Sequence, residues 1–330
     1  MTDLVEIARS LVAGGKGILA IDESVPTATK RLALYGVAAG EEMRAAFRDL
    51  FLGAPGIEEY LSGAILFSET FAQKGSDRKL FPNSLAARGI APGIKVDEGI
   101  EALSNSPHEV ITKGLIGLPE RLAEYKKKGA VFTKWRAVIH IDGALPTSGA
   151  IHENAGRLAT YAKEAQAAGM VPILEPEILL EGTHSRTRAQ EVIEQTLTTL
   201  FSMIEQHSID RASLIVKTSM ALSGADSKKK DTPEEVAEST LDALMKSVPK
   251  QVAGIVFLSG GQSPDQATAN LAAIVKLARE KNAPWPLTFS FARALQDEAL
   301  EIWRGHEENI DAARAAFLAR LAKVAAAAHI

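Results

Sequence analysis

The sequence predicts an α/β chain folded as a (β/α)₈ TIM barrel, one unit over residues 1–330 with extra outer helices at its carboxyl end. Three observations carry that expectation. Short apolar runs recur at 17–21, 63–67, 93–96, 132–140, 171–174, 214–216, 254–258 and 287–289, continuous in their apolarity as strands covered on both faces are. Helical patterns fall between them, and alternation of strand with helix argues for a parallel sheet. The apolar runs also end on reactive groups: Asp22-Glu23-Ser24, Glu69, Lys95-Val96-Asp97, Lys134-Trp135-Arg136, Glu175-Pro176-Glu177, Lys217, Ser259-Gly260-Gly261 and Ser290 to Arg293. Barrels build their sites at the carboxyl ends of their strands.

Most strand runs are introduced by glycine or proline. The helical patterns are clearest at 155–168, 187–207, 233–247 and 265–281. Thr232-Pro233 and Ser263-Pro264 each place a capping hydroxyl before a proline in the first turn. The alanine-rich stretch 311–328 reads as a helix cladding the barrel from outside. Residues 73–89 read as a loop, rich in charge and turn formers. A doubly wound open sheet competes with the barrel, but it calls for a glycine-rich turn after its first strand. The first strand here runs into Asp22-Glu23-Ser24-Val25-Pro26, so the closed barrel is preferred.

A formal charge of −4 with dispersed lysines and arginines gives no footprint for nucleic acid. The chain has no cysteine, which excludes disulfides, thiolate catalysis and Cys-type zinc sites. Neither a signal-peptide pattern nor an apolar run of bilayer length is present, and a cytoplasmic location away from membranes is the default reading.

Residues two apart in a strand face the same side, so Lys134 and Arg136 share a face, as do Glu175 and Glu177. Two cations and two carboxylates aimed into a barrel must pair with one another or with a charged ligand. Lys217 ends the sixth run. To attack a carbonyl it must shed its proton near neutral pH, which desolvation and a neighbouring cation favour. Lys134 is the candidate cation, and Glu175 and Glu177 the candidate proton shuttles. Ser259, Gly260 and Gly261, with Arg293 after the eighth run, form a candidate phosphate cradle where barrels often hold one. A second anionic anchor could form from Ser24, Thr27, Lys30, Arg31 and Lys95. The histidines His108, His140, His152, His184, His207, His306 and His329 lack the close pairing of a zinc helix. His140, inside the fourth run, reads as a packed core residue, and the site reads as metal-free.

Several runs resemble class I fructose-bisphosphate aldolases, in family order and over almost the whole chain: Gly17-Ile18-Leu19-Ala20-Ile21-Asp22-Glu23-Ser24, Gly93-Ile94-Lys95-Val96-Asp97, Phe132-Thr133-Lys134-Trp135-Arg136, Glu175-Pro176-Glu177-Ile178-Leu179, Phe257-Leu258-Ser259-Gly260-Gly261-Gln262-Ser263 and Leu287-Thr288-Phe289-Ser290. The resemblance implies reversible aldol cleavage of fructose 1,6-bisphosphate to dihydroxyacetone phosphate and glyceraldehyde 3-phosphate, without a metal or other cofactor. It assigns Lys217 as the Schiff-base lysine and Glu175 as general acid/base, with Glu177 hydrogen-bonded beside it. Asp22 becomes the base that takes the substrate hydroxyl proton, and Lys134 a contact near the breaking bond. Ser259, Gly260, Ser290 and Arg293 match the site for the phosphate nearer the ketone; Ser24, Thr27, Arg31, Lys95 and Arg136 fall at the far phosphate. The family is often tetrameric, so a homo-oligomer is expected.

This chain departs from the pattern at three places. Animal members end on a tyrosine that assists proton transfer, whereas the last tyrosine here is Tyr161. Phe291-Ala292 replaces Tyr-Gly before Arg293, implying a less open phosphate loop, and Val25-Pro26 interrupts the usual Ser-Thr-Gly-Ser turn at the far phosphate. Another phosphorylated ketose as preferred substrate, or a non-catalytic barrel scaffold, are the alternatives.

Overall fold

Phe132 and Phe289 fill space that glycines leave at the starts of neighbouring strands. A Cβ on Gly93 would lie 2.2 Å from the Phe132 ring, and one on Gly17 would lie 2.4 Å from the Phe289 ring. Glycine there makes room for a large aromatic ring, Phe132 in the barrel lumen and Phe289 in the layer between strands and helices. The computed structural model describes residues 3–104 and 106–329. Its strands are β1 (Gly17–Ile21), β2 (Leu61–Leu66), β3 (Ala91–Lys95), β4 (Ile100–Leu103), β5 (Ser106–Thr112), β6 (Phe132–Ile139), β7 (Val171–Ile178), β8 (Ile215–Thr218), β9 (Gly254–Phe257) and β10 (Leu287–Phe289).

Eight of these form one parallel sheet in the order β1-β2-β3-β6-β7-β8-β9-β10. At the seam between β1 and β10, the Ala20 N–H donates to the Phe291 carbonyl at 2.9 Å and the Thr288 hydroxyl to the Lys16 carbonyl at 2.8 Å. The (β/α)₈ barrel is therefore present. The strands β4 and β5 make a separate antiparallel hairpin between β3 and β6, which the sequence reading did not anticipate.

Strand alternation divides the apolar residues into two cores. Ile18, Ala20, Ile65, Phe132, Val171, Ile173, Ile215 and Val256 face the lumen, capped from below by Ala8, Leu11 and Val12. Intervening residues such as Leu19, Trp135, Leu174 and Val216 belong to the layer between strands and helices. Trp135 stacks on Tyr161 there, with centroids 5.4 Å apart.

The helix Pro233–Ser247 has the expected bounds and a full capping box between Thr232 and Glu235. Ser263 caps the helix Pro264–Glu280 by accepting from the Gln266 N–H. The helix Ile310–Ala328 does clad the barrel: its buried Arg320 pairs with Asp265 at 2.7 Å and with Glu298. Three expectations need correction. The segment 73–89 contains a helix, Phe81–Ala87, whose Pro82 sits in the first turn. β7 continues through Glu175-Pro176-Glu177 instead of ending before it. His140 lies just beyond β6 and is half-buried, so it is not a core strand residue.

Candidate active site

Strand parity places the charged groups. Lumen residues Ile18 and Ala20 lead two by two to Asp22; Phe132 leads to Lys134 and Arg136; Val171 and Ile173 lead to Glu175 and Glu177; Ile215 leads to Lys217. The same alternation that packs the lumen with aliphatic side chains thus turns these groups inward one layer higher. They line one cavity of about 740 Å³ at the carboxyl ends of the strands.

At its floor four groups form a chain of ion pairs. Lys134 Nζ is 2.6 Å from Asp22 Oδ2 and 3.0 Å from Glu175 Oε2, and Glu175 Oε1 is 2.9 Å from Lys217 Nζ. Lys134, Glu175 and Lys217 are each only 3% exposed. Burial works against ionising Asp22, yet the charges of Lys134 and Lys217 outweigh it and hold the carboxyl down at about 2. Burial opposes the Glu175 carboxylate too, and the same two lysines hold it below its ordinary value. Burial would discharge Lys134, but Asp22 and Glu175 beside it drive its value well above that of a free lysine. The contact of Lys134 with Glu175 Oε2 lacks hydrogen-bond alignment, leaving that oxygen without a hydrogen-bond partner.

Lys134 was expected to be the cation beside Lys217 that favours loss of its proton. Its charge is instead shared between Asp22 and Glu175, with the Glu175 carboxylate lying between the two lysines. Glu177 was expected to bond to Glu175; it pairs with Arg136 across β6 and β7, where charge attraction exceeds any gain from joining two carboxylates. The positive end of that pair is held far above the ordinary arginine value, the Glu177 carboxylate overcoming the effect of burial.

One wall carries the residues expected to cradle an anion. Gly260 and Gly261 adopt left-handed φ values of +56° and +93° after β9, turning the chain in a way other residues rarely adopt. Ser259, Gly260, Ser290 and Arg293 line the cavity. Gly261 does not, though it lies close to Arg293: a Cβ on it would be 3.6 Å from Arg293 Nη2. Ser290 is 1% exposed and its hydroxyl has no partner among the described residues. A buried donor facing a cavity is available to a ligand. Phe291 does not narrow this wall: its ring is fully buried against Phe289, and only Ala292 reaches the cavity.

Ser24, Thr27, Lys95 and Arg136 also line the cavity. The Ser24 and Thr27 hydroxyls are 3.0 Å apart across the first turn of the helix Val25–Leu34, and Lys95 Nζ is 2.6 Å from Asp97 Oδ1. Arg31 and Lys30 are not among the lining residues. Arg31 is buried and paired with Glu23 at 2.6 Å and Asp297 at 2.7 Å, while Lys30 is exposed. Glu69 also leaves the site, held by Arg44 in a forked pair.

The cavity further includes Phe67, Ser68, Ile100, Arg121 and Tyr125, which sequence reasoning missed. Arg121 and Tyr125 are four apart on the helix Leu118–Lys127 and so share a face. That spacing could have been noticed, but it does not reveal that the face overlooks the barrel mouth. Tyr161 is fully buried, 2.7 Å from the Thr133 hydroxyl, and lies away from the cavity. Among the described residues, no three His, Asp or Glu side chains gather as metal ligands, and no helix is long and apolar enough to cross a membrane.

An ordered chain of acid, lysine, acid and lysine thus lies at the floor of the cavity, and relatives share the fold around it. The family model described as fructose-bisphosphate aldolase class-I matches residues 3–330. The chain is 46% identical over 300 residues to a protein of Xanthomonas axonopodis pv. citri named "Probable fructose-bisphosphate aldolase class 1", covering 91% of this chain and 89% of that one. It is 46% identical over 321 residues to the fructose-bisphosphate aldolase of Drosophila melanogaster, covering 96% and 88%. A solved structure of the Plasmodium falciparum aldolase, in complex with TRAP and a small-molecule inhibitor, superimposes with a TM-score of 0.96 at 40% identity, covering 99% of this chain and 94% of that one. Fold, site geometry and relatives agree: this chain belongs to the class I fructose-bisphosphate aldolase family, whose members are lyases.

Proposed function

We propose that Lys217 forms a Schiff base with the ketone of fructose 1,6-bisphosphate, and that the surrounding groups move the protons of cleavage. The observation that carries this is the Asp22–Lys134–Glu175–Lys217 chain, with every neighbouring pair between 2.6 and 3.0 Å. Glu175 takes a proton from the Lys217 ammonium, freeing the amine to add to the ketone. It returns the proton to the departing hydroxyl, so that water leaves and a protonated imine remains. Asp22 then accepts the proton of the substrate hydroxyl beside the breaking bond. The carbon–carbon bond opens, its electron pair moves into the imine to give an enamine, and the aldehyde departs. Glu175 relays a proton from water to the enamine carbon, and addition of water to the resulting imine releases dihydroxyacetone phosphate and restores the Lys217 amine.

Lys134 remains charged throughout and steadies both carboxylates. Glu177 orients Arg136. Ser259, Gly260, Ser290 and Arg293, with Gly261 beside the arginine, hold the phosphate nearer the ketone; Ser24, Thr27, Lys95 and Arg136 hold the far one. Holding both ends places the reacting atoms together, which contributes about 7–11 kcal/mol at most to lowering the barrier. Arg31 acts at a distance, behind Glu23. The reading extends to a single domain over residues 1–330 that acts as a homo-oligomer in the cytoplasm, metal-free and without nucleic-acid or membrane partners.

The test is cleavage of fructose 1,6-bisphosphate by the wild type, by Lys217→Met and in excess chelator. Activity should vanish in the variant and persist with chelator; an active K217M enzyme contradicts the proposal. One observation favours a second substrate. Pro26 lies in the turn beside Ser24 and Thr27 at the far-phosphate wall, so fructose 1-phosphate, which lacks that phosphate, belongs in the same assay.

A further inference from the structure

Arg48 takes no part in the chemistry above, yet it is 1% exposed on the helix Glu41–Leu52. Its guanidinium grips residue 23 twice: Nη1 donates to Glu23 Oε2 at 2.7 Å and Nη2 to the Glu23 backbone carbonyl at 2.9 Å. The same group lies over the Phe47 ring, 4.6 Å from its centroid. The other carboxylate oxygen, Oε1, accepts from Arg31 at 2.6 Å. Arg31 continues to Gln296, whose Nε2 donates to the Ala20 carbonyl at 3.0 Å.

Asp22 lies between the two residues so held. Ala20 is fixed from one side by Gln296 and by its own N–H to Phe291, and Glu23 from the other by two arginines. The stretch after β1 has already left the sheet, so no ladder hydrogen bonds fix it. From this geometry we infer that Arg48 is a positioning residue for Asp22: by locking both the main chain and the side chain of Glu23, it sets where the Asp22 carboxylate stands above Lys134. The inference rests on Asp22 being the base of the cleavage step.

The chemistry supplies a readout that a purely structural role does not. Cleavage needs Asp22, whereas exchange of the α-proton of dihydroxyacetone phosphate with solvent needs only imine and enamine formation on Lys217. Misplacing Asp22 therefore slows one reaction and spares the other. Arg48→Met should lower kcat for fructose 1,6-bisphosphate cleavage about tenfold to a hundredfold. Deuterium exchange into dihydroxyacetone phosphate, followed by NMR, should stay within about twofold of the wild type by the same criterion.

Arg48→Lys is read in the same way and serves if R48M does not fold. It keeps the charge but replaces two separate donors by one nitrogen, so it cannot span Oε2 and the carbonyl together. Equal loss of both reactions, or loss of neither, overturns the inference. Asp22→Asn separates the two levels. If D22N still cleaves, the role of Asp22 is wrong; if D22N has lost cleavage while R48M and R48K keep it, only the role of Arg48 is wrong.

Discussion

Lys217 Nζ rests 2.9 Å from Glu175 Oε1, so the proposed nucleophile and its proposed proton acceptor are in direct contact. Both are buried, and Glu175 has Lys134 on its other oxygen. The charge of Lys134 favours the ionised form of Glu175, so a proton accepted there would be passed on readily.

Replacing Glu175 by glutamine keeps the shape of that contact and removes its basicity. Cleavage by E175Q should fall about 10²- to 10⁴-fold. Formation of the trapped imine should slow in parallel, since the amine is freed less often. Rapid-quench borohydride trapping measures that rate directly.

The charge network predicts an acid-sensitive fold. Asp22 and Glu175 are held below their ordinary values, so the unfolded chain binds more protons than the folded one as pH falls. Their stabilisation is complete above the ordinary carboxylate range and is lost as pH drops towards about 2, the folded value for Asp22. Lys134 is shifted the opposite way: its contribution is complete below the ordinary lysine value and fades as pH rises through the raised one. D22N should melt below the wild type at neutral pH, by roughly 2 kcal/mol from the size of the Asp22 shift. That deficit should shrink between pH ~4 and ~2. Thermal melts of both proteins across this range check it, and a deficit independent of pH contradicts the coupling.

Ser290 carries a buried hydroxyl with no protein hydrogen-bond partner among the described residues. Its removal should therefore cost little stability and mainly weaken binding. Ser290→Ala should leave the melting temperature within a few degrees and raise KM for fructose 1,6-bisphosphate about tenfold to a hundredfold, the loss of one hydrogen bond to a charged ligand. Calorimetry and steady-state kinetics on one preparation separate the two effects.

Gly93 tests the lumen. A methyl group there would overlap the Phe132 ring, whose carbons lie 2.2 Å from the added Cβ. Gly93→Ala should lower stability by roughly 1–3 kcal/mol through overpacking. The paired variant G93A/F132L, which trims the ring, should recover part of the loss in denaturant melts.

The legible part of this molecule is what strand parity carries. Lys134 follows Phe132 by two, Glu175 follows Ile173 by two, and Lys217 follows Ile215 by two, so local alternation alone aims each at the lumen. The wall proposed for the far phosphate was less legible because partner choice there is long-range. Arg31 reads as a free cation beside Ser24 and Thr27, but Gln296 and Asp297, from the far end of the chain, take it away from the cavity. Glu177 was misassigned for a similar reason: the register that sets Val138 opposite Glu177 brings the Arg136 side chain to its carboxylate. The hairpin of β4 and β5 escaped notice since most of its first strand is exposed and lacks an apolar face.

The most direct measurement is borohydride reduction with dihydroxyacetone phosphate, followed by peptide mapping. The adduct is predicted on Lys217 and on no other lysine, with none formed by K217M. An adduct on Lys134 or Lys95, or full activity after complete reduction of the enzyme–substrate mixture, would contradict the account.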